Sequence, residues 1–484
     1  MCIRSALVRS ALVLSATLFA GCAVGPDFHR PAPPTTDLYT SGGQPEGTAA
    51  APGEAGAAQR FVIGAELQRH WWEAFQCEAL NALVADALAH SPTARQARAR
   101  LREAQADLAA QNGAMLLPSV DAQLGATREK VNPAALGFSN VPAPPPFNIY
   151  NAQVNVSYTL DLLGANRRLL EGARAQTEYQ AYETEAAELT LAANVVAAAI
   201  RQADLAAQAE YTGRIIEAQS RQLAISEKRF ESGGLALEDL DTQRSQLEQL
   251  RATLPALTAQ RHQVDHLLAV YTGKPPAAAA AAVFRLTDLK LPTDVPLTLP
   301  SELVRRRPDV RASEALWHEA SANVGVATAN LFPHLTISGS AGSERSEASQ
   351  LLDGTNVWSI GASLLQPIFH GGELQAKKRS AVAAYDAAAE GYQQTVLESL
   401  QQVADSLRVV EADALTLKSR SLAAEQSAST RTIAQQRFEA GGISEFSLLD
   451  AERQELQTGL DRAHAEAQRL ADTAALMHAL NGLL

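Results

Sequence analysis

The absence of proline most narrows what this chain can fold into. Beyond Pro367 there is none, and an Ala/Leu/Gln/Glu-rich pattern runs without interruption to the Gly441-Gly442 pair. Residues 372–439 therefore read as one helix, roughly 100 Å long at about 1.5 Å per residue. Within it Val396, Val403, Val410 and Leu417 recur every seven residues, with Leu400, Leu407 and Ala414 four positions behind them. Such an a/d seam wants a partner helix. A small globular domain could not contain a helix of this length, and the periodic run after the glycines must fold back antiparallel along it.

The same unit occurs earlier in the chain. Arg229-Phe230-Glu231-Ser232-Gly233-Gly234-Leu235 matches Arg437-Phe438-Glu439-Ala440-Gly441-Gly442-Ile443 at an offset of 208, and Leu240-Asp241 matches Leu449-Asp450 with one residue of slippage. The chain is a tandem repeat, each copy holding a long helix, a glycine tip and a shorter return helix. The first copy spans 63–278, with a hairpin at 119–162, a long helix at 165–232 and a return helix at 236–272. The second spans 300–484, with a hairpin at 334–367, a long helix at 372–439 and a return helix at 444–482; 279–299 is a linker.

The start of the chain reads as an export signal over 1–21: Arg4 and Arg9, an apolar run too short to span a bilayer, then small residues before Cys22. This box predicts acylation of Cys22, and Ala23 behind it, rather than Asp, suggests the outer membrane. Residues 22–62, rich in Pro, Gly and Ala, read as an irregular tether or wrap. The formal charge of −12 becomes more negative once Arg4 and Arg9 are removed, and an acidic exported chain is a poor candidate for nucleic acid. Cys77 is left without an intrachain partner, which excludes a disulfide framework. Helical periodicity is expected from near Leu67, carrying Trp71, Trp72 and Phe75 as core, and again from Pro92 to about Ala114.

Between the helices the period changes from 3.6 to 2. Val120, Ala122, Leu124 and Ala126 alternate with polar residues or glycine, as do Ala152, Val154, Val156, Tyr158, Leu160 and Leu162. The second copy repeats this with Leu335, Ile337, Gly339 and Ala341, then Trp358, Ile360, Ala362 and Leu364. An apolar outer face opposite a polar inner one predicts transmembrane barrel strands. Four strands cannot close a barrel, and open edges are forbidden in lipid, so several chains must share one; three would supply twelve strands. The expected fold class is mainly α with a small β part: long antiparallel α-hairpins forming a trimeric α-barrel, plus a shared 12-stranded transmembrane β-barrel.

At this point the residues resemble a known family. Gly21-Cys22-Ala23-Val24-Gly25-Pro26-Asp27-Phe28, Trp71-Trp72 with Phe75, Leu160-Asp161-Leu162-Leu163-Gly164 and Pro300-Ser301-Glu302-Leu303-Val304-Arg305-Arg306-Arg307-Pro308-Asp309-Val310 look like the TolC-like outer-membrane factors of the NodT lipoprotein type. So do Ala329-Asn330-Leu331-Phe332-Pro333 and Pro367-Ile368-Phe369-His370-Gly371-Gly372. Gln76-Cys77-Glu78 departs from the family, which more often has an Asp-Pro pair there. The resemblance implies a homotrimer docking to a periplasmic adaptor and an inner-membrane, proton-driven pump, and hence an exit duct for small molecules. It also implies that Phe446 and Asp450 form the pore constriction, since an apolar residue and an aspartate at the matching positions point into the pore. Their spacing of four puts both on one helix face. The adaptor is expected to meet the tips at Gly233, Gly234 and Leu235 and at Gly441, Gly442 and Ile443.

No enzyme signature accompanies this. Phosphate-loop, nucleophile-elbow and dinucleotide fingerprints are absent, and no cofactor is expected. His262 and His266 have the spacing of a metal clamp, but residue 263 is Gln and no third ligand is placed, so no metal site is expected. A type I protein-secretion duct would share every feature of the efflux duct. A structural coiled-coil surface protein would explain the heptads but not the paired amphipathic hairpins.

Overall fold

Strong helix formers uninterrupted by proline give the long elements, and period-2 alternation gives the strands. The computed structural model describes residues 23–40, 43–65, 68–133, 137, 142–278 and 283–481. In the first half of the chain lie β1 (Arg60–Ile63), α1 (Glu78–His90), α2 (Pro92–Leu116), β2 (Ser119–Glu129), β3 (Phe147–Leu160), α3 (Ala165–Glu231) and α4 (Leu237–Tyr271). The second half holds β4 (Asp294–Leu297), α5 (Pro300–Arg306), α6 (Pro308–Ala329), β5 (His334–Arg345), β6 (Val357–Leu365), α7 (Glu373–Glu439) and α8 (Glu445–Leu480). Two compact units result. The described residues of Met1–Arg30, Leu101–Gln180 and Ser313–Tyr392 form the first, and those of Pro31–Arg100, Ala181–Ala312 and Gln393–Leu484 the second, so each draws on both halves of the chain.

The first unit is organised by one antiparallel sheet of order β2-β3-β5-β6. Its register aligns like with like across all four strands. Val120 lies opposite Val156, which lies opposite Gly339, which lies opposite Ile360, and one residue along the order is Asp121, Asn155, Ser340, Ser359. A one-residue slip would scramble both faces. The apolar face is bare, with Val120 64%, Trp358 75% and Ile360 76% exposed. The polar face is stitched by side chains such as Ser340 and Ser359, whose hydroxyls lie 2.8 Å apart. Where β3 gives way to α3, the Asp161 carboxylate accepts the backbone N–H groups of Asn166 and Arg167 at 3.1 and 3.0 Å, satisfying donors that the helix start leaves orphaned.

The N-terminal segment is fixed onto this unit. Arg168, almost fully buried, donates to Asp27 at 2.7 Å, to Glu171 at 2.8 Å and to the Val24 carbonyl at 3.3 Å. Phe28 stacks on His318 with ring centroids 4.5 Å apart. Gly25 has φ +102°, and a Cβ there would stand 2.4 Å from the Cα of Gly325, so only glycine fits.

The second unit holds the main core. The seam residues Val403, Leu407, Val410, Ala414 and Leu417 of α7 are fully buried, packing as their heptad spacing requires. Trp71 and Phe75 are buried in the core as well, but not on a helix that starts near Leu67. Leu67 itself lies outside the described residues. Trp71–Phe75 is a short 3-10 turn, Gln76 is left-handed at φ 51°, and α1 begins only at Glu78. The reason is tertiary: the Phe75 carbonyl, which a continuing helix would use internally, accepts the backbone N–H of Lys290 at 2.9 Å.

Two buried arginines tie this unit together. Arg307, from the Arg-Arg-Pro-Asp run, donates to the Ala479 carbonyl near the end of α8 at 2.9 Å and to Gln402 of α7 at 2.8 Å, while Asp309 holds its other edge. Arg469 of α8, fully buried, donates to the carbonyls of Ala55 and Ala57 at 3.1 and 2.8 Å and so captures the stretch leading into β1, which pairs in parallel with β4. Beside it, burial first, and the neighbouring carboxyl of Asp472 of α8 next, push Asp413 of α7 up to about 7 from 3.8, against the pull of Arg469. A native value above the unfolded one means that stability from this site is full below pH 4 and is lost as pH rises through about 7. Asp413→Asn should remove that loss. Its thermal midpoint in detergent is expected to exceed the wild-type value by a few degrees at pH 8 and to match it near pH 4.

Candidate functional site: glycine tips and a glutamine-lined groove

Both glycine tips are Schellman caps. At the first, Gly234 N–H donates to the Arg229 carbonyl at 2.7 Å and Gly233 N–H to Phe230 at 2.9 Å; at the second, Gly442 donates to Arg437 at 2.7 Å and Gly441 to Phe438 at 2.9 Å. In each pair only the first glycine is left-handed, Gly233 at φ 76° and Gly441 at φ 71°. The helix reversal therefore needs Gly233 and Gly441 but not Gly234 and Gly442. Leu235 and Ile443 are half-buried just beyond. At the second tip Ser444 caps α8, its hydroxyl accepting the Ser447 N–H at 3.3 Å.

One turn into α8 the structure brings Phe446 and Asp450 into the same groove. Its cavity volume is about 620 Å³, and it lies within the second unit between α3, α4 and α8. Phe446 is half-buried and Asp450 exposed, while Leu449 and Leu456 turn the opposite face of α8 inward. Asp450 is not a lone charge. Arg453, one turn further on, donates to it at 2.8 Å. The first repeat has the same arrangement, Arg244 lying 3.4 Å from Asp241. Sequence reasoning passed over Arg453, although the Asp-x-x-Arg pattern stands in both copies and spaces the two charges for contact on a helix.

Of the remaining expected sites, Cys22 lies outside the described residues. His262 is paired with Asp265 at 3.7 Å, and no cluster of three metal-binding side chains occurs among the described residues. No described helix is long and apolar enough to cross a membrane, a statement that leaves the strands untouched.

The family model described as outer membrane efflux protein matches residues 83–274 and 299–482, both repeats of the chain. The chain belongs to the outer membrane efflux protein family. It is 30% identical over 418 residues to the pyoverdine export outer membrane protein OpmQ of Pseudomonas aeruginosa, covering 86% of this chain and 87% of that protein. It is 25% identical over 475 residues to nodulation protein T of Rhizobium leguminosarum, covering 98% and 93%. Among solved structures, the outer-membrane channel OprN superposes with a TM-score of 0.80 at 28% identity, covering 95% of this chain and 99% of that one. This outer membrane efflux protein is thus a channel of the outer membrane and not an enzyme, and its mainly helical fold of long α-hairpins with a small sheet is the fold of such channels.

Proposed function

We propose that this outer membrane efflux protein is the exit duct of a tripartite pump: a homotrimer that passively conducts small molecules from a periplasmic adaptor and an inner-membrane, proton-driven pump to the exterior. The observation that carries this reading is the sheet. It has one apolar face, one polar face, and, among the described residues, no partner for the outer edges of β2 and β6. Unpaired backbone is not tolerated in hydrocarbon, so the edges must meet those of other copies. Three copies give twelve strands around a polar lumen and leave an apolar belt for outer-membrane lipid. The names of the relatives, one exporting pyoverdine and another a toluene efflux pump component, favour small molecules over polypeptides as cargo.

Purified protein in a planar bilayer tests the reading. Trimers by chemical cross-linking, together with discrete single-channel currents, are expected; a monomer without conductance overturns it. Deleting the gene should also sensitise cells to pump substrates, and the intact gene should restore resistance.

Acylation of Cys22 belongs to the same reading. Several acyl chains anchor firmly where one is marginal, so the lipid aids targeting more than retention once the barrel has inserted. Wild type is expected to incorporate radioactive palmitate and Cys22→Ser to incorporate none. Equal absence of label in both would end the idea.

A further inference from the structure

The groove that carries Phe446 and Asp450 holds more than a constriction requires. Its walls are primary amides: Gln219 and Gln222 from α3 face Gln243 and Gln246 from α4, each pair at the spacing that shares a helix face. Gln222 donates to the Phe446 carbonyl at 3.3 Å. Among the described residues, no protein group occupies the amides of Gln219, Gln243 and Gln246. Among the described residues, the charges on the wall are Asp450 and Arg453, which neutralise each other at 2.8 Å. A volume of about 620 Å³ falls within the range of small-molecule sites.

We propose that this groove is a recognition station for neutral, amide-rich permeants, the chemical class of end-blocked short peptides. Each glutamine offers two N–H donors and a carbonyl acceptor, complementary to the one donor and one acceptor of a peptide unit. A charged ligand meets no net field there. An apolar one would strip water from three amides and give nothing back, so the wall selects against both. Binding of this kind is weak, which a conduit needs if cargo is to leave. The assignment rests on the channel reading only in placing the groove on the permeation path.

Saturation-transfer NMR on the detergent-solubilised full-length protein tests it, with N-acetyl-triglycine amide as probe. Tetraethylene glycol dimethyl ether, similar in length but carrying acceptors only, serves as control. Wild type is expected to bind the peptide and not the ether, and Gln219→Leu/Gln243→Leu/Gln246→Leu to bind the peptide about tenfold more weakly. Equal peptide binding by wild type and variant, or equal binding of peptide and ether, overturns the proposal. These side chains are half-buried or exposed; should the triple variant lose helicity, Gln246→Leu at the exposed position takes its place, with a proportionally smaller loss expected. Wild-type conductance is recorded in parallel. Peptide binding without conductance defeats the channel reading and leaves the groove's ligand class standing, whereas conductance without peptide binding does the reverse.

Discussion

Tryptophan at Gly442 or at Gly234 is expected to reduce drug resistance to the level of a deletion strain while trimers and their surface level stay normal. The second glycine of each tip is the right place for this experiment because the fold does not require it. Gly442 lacks the left-handed conformation of Gly441, and a Cβ there would stand 3.3 Å from the Arg437 carbonyl, a crowding that a shift of a few tenths of an ångström relieves. Gly234 meets the Arg229 carbonyl at 3.4 Å. A bulky side chain therefore projects outward at the surface proposed to meet the adaptor without unwinding the Schellman cap. Substitution at Gly441 or Gly233 would confound the readout, since any side chain at a positive φ is strained, by about 1 kcal/mol or more. Unchanged resistance in both tryptophan variants would mean that the tips do no more than reverse the chain.

The second large effect is expected at the constriction. In the proposed trimer three copies of Asp450 stand around the axis, each paired with its own Arg453 at 2.8 Å and so close to neutral as a pair. Asp450→Ala should therefore leave three uncompensated guanidinium groups and carry selectivity toward anions, severalfold in permeability ratio. Arg453→Ala should shift it the other way. Phe446, half-buried in the same groove, is proposed to add a barrier to wetting, so Phe446→Ala should raise closed-state conductance. Single-channel recording in an asymmetric salt gradient reads both quantities. If neither current nor ion preference changes in Asp450→Ala and Phe446→Ala, the constriction lies elsewhere in the duct.

The repeat, the long helices and the strands were legible in the sequence because each is a local pattern: freedom from proline, a seven-residue seam, period-2 alternation. Those periodicities state which faces are apolar, and hence what must be covered. Cys22 and the spacing of Phe446 and Asp450 were likewise legible, as patterns whose roles remain proposals. What local pattern could not supply was set by contacts distant in sequence. The helix expected to carry Trp71 and Phe75 stops because Lys290 claims the Phe75 carbonyl. Arg469, one charged residue among many on α8, is a buried clasp only because the carbonyls of Ala55 and Ala57 are brought to it. The glutamine groove is assembled from α3, α4 and α8, whose residues stand far apart in the chain. The sequence by itself determined the long helices, the four strands of the large sheet, their amphipathic faces and the reversal points, since helix and strand periods are properties of neighbouring residues. Tertiary structure alone decided which buried polar groups find partners and which side chains share a cavity, because burial and hydrogen bonding depend on what long-range packing brings within reach.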